Sequence, residues 1–321
     1  MCCIVRKANR ITRLGPFRGT VNCCLIVFCL AGCQGENSPA DTSASGSTGA
    51  SEATGSDSAP PVRTASDDGT WEVTPSELRV RLRANEMAKF RMSGNKVVRA
   101  ELFQSGISSI DALKGLPLEF LDIGMTDVAD LSVIEGMPLK EIVLEKTPVS
   151  DIRVLRGMPL EVVKLQSTQV TDLSPLYEMK LRQLNLMDIP VSDLTPFAQM
   201  PLETLWIPGT KVTDLTPLTG TKTLVSLDLQ GTGVSKLDPI SGLTGLKRLN
   251  IAGTGVEDLT PLKDLQLERL TLTPQTIRSG MDVIRNMKSL VDIQPSIDTP
   301  MSAADFWKRY DLGVWPVPAS E

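Results

Sequence analysis

K-V-T-D-L-T-P-L, residues 211–218, returns three more times with small changes: Q-V-T-D-L-S-P-L at 169–176, P-V-S-D-L-T-P-F at 190–197 and G-V-E-D-L-T-P-L at 255–262. A phrase that recurs at a near-constant interval marks a repeat architecture, and this decides how every other motif is weighed. Leucine sets the phase. Leu118, Leu139, Leu160, Leu181, Leu202, Leu224, Leu246 and Leu267 follow one another at 21 or 22 residues, with Val97 in the same place upstream. Counting that leucine as position 1, apolar residues recur at positions 4, 6, 11, 14 and 17. In the sixth unit these are Leu205, Ile207, Val212, Leu215 and Leu218.

Positions 4 and 6 alternate with polar neighbours, the period of a half-buried strand. Position 9 is mostly threonine (Thr126, Thr147, Thr168, Thr210, Thr232, Thr254), a small hydroxyl residue where the chain must turn. The aspartate of the opening phrase stands at position 13, in Asp130, Asp151, Asp172, Asp193, Asp214 and Asp258. Its carboxylate is suited to accept a nearby backbone N–H in an Asx turn. The Ser/Thr-Pro pair that follows, as in Ser174-Pro175 and Thr216-Pro217, reads as the N-cap and first residue of a very short helix. Calcium needs six to eight oxygens, and one aspartate per coil between apolar residues does not supply them. The phrase is therefore a corner, and each unit is a strand, a turn and a 3₁₀-type turn.

This pattern resembles the leucine-rich repeat, L-x-x-L-x-L-x-x-N-x-L, in the short bacterial form of internalin-like proteins, over nine units from 97 to 293. The resemblance implies an α/β solenoid: right-handed, curved, with a parallel concave sheet, a 3₁₀/turn convex side and helical caps. The family's Asn at position 9 is here Ser or Thr, with Ile189 in the fifth unit and Gln275 in the last, so a threonine ladder is expected in place of an asparagine ladder. The whole is also similar to leucine-rich modules appended to bacterial protein-kinase receptors, whose A-x-x-F-W-K tail is matched by Ala303-Ala304-Asp305-Phe306-Trp307-Lys308.

Both ends need covers, because a terminal coil exposes its apolar interior. Residues 71–96 supply one: Thr74-Pro75-Ser76-Glu77 is a capping box opening a helix with Leu78 and Leu82, followed by a hairpin turning at Ser93-Gly94-Asn95. Residues 294–321 supply the other, a second capping box from Ser302 and Asp305 and a helix carrying Phe306, Trp307 and Tyr310.

Upstream of 71 the composition changes. Residues 1–20 carry Arg6, Lys7, Arg10, Arg13 and Arg18 and no acid, then V-N-C-C-L-I-V-F-C-L at 21–30. A basic segment, a short apolar run and small residues make a secretory signal, here 1–32. Leu30-Ala31-Gly32-Cys33 resembles the lipobox of bacterial lipoproteins, which implies a lipid on Cys33. Gln34, not Asp, follows the cysteine, and the family's sorting rule then implies the outer membrane of the cell envelope. From Cys33 to residue 70 the chain is a linker of Ser, Gly, Ala, Thr and acid, too apolar-poor to offset its ordering entropy. As a flexible tether it spans roughly 35 Å.

All six cysteines lie in the first 33 residues, so no disulfide or cysteine metal cluster is expected in the repeats. The full chain has 33 basic and 38 acidic residues; without the five basic residues of the signal, 28 basic residues face 38 acidic ones. That balance argues against nucleic acid, whose phosphates require a basic face. There is no histidine, which removes Ser-His-Asp and Cys-His arrangements and most zinc sites. No phosphate-loop sequence opens a helix after a strand. No enzyme, cofactor or metal is therefore expected, and a glycan-acting carboxylate pair is the weakest alternative.

What remains is the outward face of the strands, at positions 3, 5 and 7. Phe103, Phe120, Val143, Val162, Met187 and Trp206 put apolar side chains there, with Lys164, Asn185 and Asp228 among them. A track of this kind reads as a contact surface for a protein or peptide. An envelope polysaccharide, stacking on Trp206, is the alternative ligand.

Overall fold

The computed structural model describes residues 73–296 and 299–315. The expected signal 1–32, the lipidated Cys33 and the linker 33–70 lie outside the described residues. Eleven strands form one sheet in chain order. β1 (Lys89–Ser93) pairs antiparallel with β2 (Lys96–Glu101), and every later pairing is parallel. The rest are β3 (Phe120–Asp122), β4 (Glu141–Val143), β5 (Val162–Lys164), β6 (Gln183–Asn185), β7 (Thr204–Trp206), β8 (Ser226–Asp228), β9 (Arg248–Asn250), β10 (Arg269–Thr271) and β11 (Asp292–Gln294).

From β3 to β10 each strand occupies positions 3–5 of its unit. Position 4 forms one unbroken row through Leu121, Ile142, Val163, Leu184, Leu205, Leu227, Leu249 and Leu270, each opposite the next. All eight are buried, as are the position-6 side chains Ile123, Leu144 and Ile207. Each such aliphatic side chain contributes about 1.5–3 kcal/mol of hydrophobic stabilisation. This is the solenoid the leucine columns predict, with one continuous core under the whole sheet.

The corners work as expected in one respect and differently in two. In all six units with the aspartate, Oδ1 accepts the backbone N–H two residues on, at 2.8–2.9 Å. Ser109 takes the same place in the first unit, accepting from Asp111 at 3.1 Å. Where Ser or Thr follows, the N–H that the aspartate accepts is that residue's own, the first of the turn, so the Ser/Thr lies inside the turn and is not its N-cap. It is the first residue of the 3₁₀ turn, as in Thr216–Leu218, and the turn-preceding leucine makes no side-chain cap. The threonines form no ladder between coils either. Each Oγ1 donates to the carbonyl three residues back, at position 6 of its own unit, at 2.6–2.8 Å. Each coil thus closes its own turn, and Ile189 loses only a local bond.

Position 8 shows a feature the alternation conceals. Its φ is positive in every unit from the first to the eighth: Gly209, Gly231 and Gly253 late in the chain, but Gln104, Met125, Lys146, Ser167 and Asp188 early. Only glycine adopts that region without a steric cost.

At the start, α1 (Pro75–Arg81) follows the expected cap, with Thr74 accepting from the Glu77 N–H at 3.2 Å, while the Glu77 carboxylate turns to Arg81. At the far end the expected ninth unit is not the last strand. α2 (Met281–Asn286) replaces its 3₁₀ turn, and β11 pairs with β10 as a tenth parallel strand across the expected boundary at 293/294. α2 starts at Gly280, φ +82°, where an added Cβ would stand 2.5 Å from the Thr260 backbone nitrogen. α3 (Ala303–Asp311) then packs on β11 with Phe306 fully buried.

Candidate binding face

The sheet's outward face is read along positions 3, 5 and 7 of adjacent strands. Strand neighbours stand about 4.8 Å apart, so one unit's side chain decides how much of the next is exposed. Phe120 and Val143, expected to be exposed, are buried. The Arg99 guanidinium lies 3.3 Å from the centre of the Phe120 ring, with its Nε 2.7 Å from Glu101. Val143 sits between Asp122 and Lys164, and Lys164 reaches back to Glu141 at 3.1 Å. Val162 is half-buried opposite Glu141, and Phe103 is half-buried against Gly124. Long neighbours therefore shield the first half of the expected apolar track.

The second half differs. Trp206 is 36% exposed between the fully buried Leu205 and Ile207. Among the described residues it is the exposed large apolar side chain of positions 3, 5 and 7 in the repeats. Its register partners are Asn185 and Asp228, as alternation requires, and half-buried Met187 lies one strand over and two residues on. Asn185 itself is buried, and its Oδ1 accepts the Met187 N–H at 3.0 Å.

That bond belongs to a pattern the leucine spacing did not expose. Asp122 accepts from Gly124 at 2.9 Å, Asp228 from Gln230 at 3.0 Å and Asn250 from Ala252 at 3.1 Å. In each case position 5 satisfies the N–H of position 7. Val143, Lys164 and Trp206 stand outside the pattern, and of these three Trp206 has Pro208 at its position 7, which has no N–H to satisfy. Proline thus releases position 5 from a local duty, and the position carries an indole. The signal was present in the sequence as W-I-P beside D-L-Q and N-I-A.

Electrostatics separates two kinds of aspartate. Burial pushes the Asp122 and Asp228 carboxyls above the usual range, against the lowering effect of their backbone bonds. For Asp122, Glu145 and Glu101 add to the rise and Lys164 opposes it. At the exposed corners the hydrogen bonds win and the carboxyls are held low, Asp151 down to about 2 through its Arg153 partner. Along position 2, Lys140–Glu119, Arg182–Glu203 and Lys247–Glu268 pair neighbouring units beside the face. Among the described residues no group of three His, Cys, Asp or Glu is placed to hold a metal ion.

No protein-family model matches the chain, and no curated protein matches it. Solved structures do. Internalin C2 from Listeria monocytogenes is similar with a TM-score of 0.53 and 25% identity, over 57% of this chain and 88% of that one. A second internalin of the same organism has a TM-score of 0.50 and 19% identity, over 68% and 87%. A leucine-rich-repeat protein of Leptospira interrogans has 0.46 and 18%, over 66% and 64%. The likeness to the two internalins is one of fold. The described region is a leucine-rich-repeat solenoid.

Proposed function

We propose that the protein is a membrane-anchored binding protein of the bacterial cell envelope that recognises a protein or peptide with the outward face of its sheet. One observation carries the recognition half: the Trp206 indole stands exposed in the middle of a parallel sheet, where it contributes little to the core. Tryptophan is the residue most enriched among interface anchors. The repeat fold supports the reading, since a stack of coils offers an extended surface for partners. The anchor half rests on the lipobox-like Leu30-Ala31-Gly32-Cys33 and on the polar linker after it, which would hold the solenoid clear of a bilayer.

A photo-crosslinker at exposed Gln183, on the face beside Trp206, tests the first half against one at exposed Glu135 on the corner side. Crosslinks from the native envelope to a protein or peptide are expected from 183 alone. Equal labelling from both positions would sink the assignment of the face, and capture on a glycan array instead would favour the polysaccharide alternative. For the second half, Cys33→Ala should abolish incorporation of radiolabelled fatty acid. Label that still enters the variant would mean that Cys33 is not the anchor.

A further inference from the structure

Among the described residues, an arginine twice touches both an aromatic ring and a carboxylate. In the first units Arg99 lies over Phe120, 3.3 Å from the ring centre, and pairs with Glu101. At the C-terminal end Arg285 of α2 lies over Trp307 of α3, at 4.4 Å, and pairs with Asp311. The ring attracts the guanidinium through its negative face, and the carboxylate adds a charge-assisted bond.

A third ring and carboxylate stand side by side at Trp206 and Asp228, in register on β7 and β8. Here no cation among the described residues is paired with the carboxylate. The groups around Asp228 are neutral: it accepts the Gln230 N–H at 3.0 Å, and the Asn250 amide opposite it donates to the Gln230 side-chain oxygen at 3.2 Å. The next strand brings Arg248 opposite Ser226, but it is exposed and forms no ion pair among the described residues. A half-buried carboxylate without a counter-charge is costly. Asparagine at Asn185 and Asn250 shows that a neutral side chain makes the same backbone bond. The charge at 228 thus serves no local need.

We infer that Trp206 and Asp228 form a subsite for a cationic side chain, lysine or arginine, presented by a peptide partner. The inference rests on the reading of the sheet face as a recognition surface. Tryptophan is the best of the three aromatic rings for a cation, and the adjacent carboxylate selects charge over shape. Met187, half-buried beside the indole, would take the aliphatic stem.

The test uses the full-length protein in detergent, N-acetyl-arginine amide as probe and N-acetyl-citrulline amide as its neutral isostere. The readout is the indole N–H resonance of Trp206, assigned by its loss in Trp206→Phe. The arginine compound should shift that resonance saturably, and about fivefold more tightly than citrulline, as expected for a cation–ring contact with a charge beside it. In Asp228→Asn, which keeps the backbone bond and so should fold, the two probes should bind alike. Equal binding of both by the native protein, an unchanged preference in Asp228→Asn, or no shift at all would overturn the subsite. The probe involves no partner, so its failure would leave the Gln183 crosslinking result standing. Conversely, arginine binding without any crosslinked protein would keep the subsite and sink the partner reading.

Discussion

The corner and the sheet face use the same residue in the same local bond, and the outcome is opposite. At the corner, Asp214 accepts the Thr216 N–H at 2.8 Å, is exposed, and keeps its carboxyl below the usual range. On the face, Asp228 accepts the Gln230 N–H at 3.0 Å, is half-buried, and has its carboxyl pushed up. The corner charge is stabilised by the fold, and the face charge is tolerated by it. The corner also repeats from unit to unit while the face changes with nearly every strand. What repeats in this chain is architecture, and what varies is where recognition should be sought.

The largest effect belongs to the core that both regions share. Phe197, the position-17 side chain of the fifth unit, is fully buried where other units carry Leu or Ile, as at Leu176 and Leu218. Phe197→Ala should cost about 3–5 kcal/mol, read from the urea midpoint, and Phe197→Leu much less. A loss as small as that of a corner variant would mean that each coil is slack and that the comparison lacks a rigid frame.

Next comes Trp206→Ala. It should weaken capture of the crosslinked partner about tenfold or more, as truncation of an interface tryptophan commonly does, while the melting temperature barely moves. A protein that unfolds easily but binds normally once folded would make Trp206 a structural residue and would erase the contrast between face and corner.

How far the sequence reaches follows from the same contrast. The leucine columns and the position-13 aspartates act within one coil, so local reasoning finds the strands, the buried rows and the Asx turns. Exposure on the face is set by residues 21 or more positions away: Phe120 is covered by Arg99 and Val143 is flanked by Lys164. Alternation predicts which way those side chains point, and it holds. It is blind to what lies across them. The tenth strand was hidden because Leu290 follows Leu267 at 23 residues, past an α-helix where other units have a 3₁₀ turn. The place of Ser/Thr at the corner is not legible because the sequence does not say whether the turn begins at that residue or after it; it begins there, and the aspartate two residues earlier accepts its N–H.

A smaller effect is expected at the corner itself. The seventh unit is a natural comparison: it has Lys236 at position 13, yet its 3₁₀ turn Asp238–Ile240 forms. The aspartate bond therefore supports the corner without being required for it. Asp214→Ala should lower the melting temperature by a few degrees, and Asp214→Asn, which can still accept the N–H, by less. The carboxyls here are depressed in the folded state, so their contribution is fully present above the unfolded value of about 3.9. It is lost as pH falls through the folded values, for Asp151 about 2. Thermal melts between these limits should show the loss. Calcium should leave the melting temperature unchanged, and a large calcium-dependent rise that vanishes in Asp214→Ala would make the column a metal site.

The smallest effect is the most discriminating, because it reverses the sign. The Asp228 carboxyl is raised in the folded state, first by burial, so the folded protein holds the proton more tightly than the unfolded chain does. Its charge therefore costs stability above the raised pKa, and that cost vanishes below about pH 3.9, where both states are protonated. Asp228→Asn removes the charge and can still accept the Gln230 N–H, as Asn250 does for Ala252. The variant should be slightly more stable than the native protein at neutral pH, by a fraction of a molar in urea midpoint, and indistinguishable from it in strong acid. Asp214→Asn should show no such gain, because its charge is stabilised by the exposed corner. If Asp228→Asn is instead destabilised at neutral pH, the carboxylate has a counter-charge within the fold. The face would then be built on the corner's terms, with no reason to look to a partner for the cation.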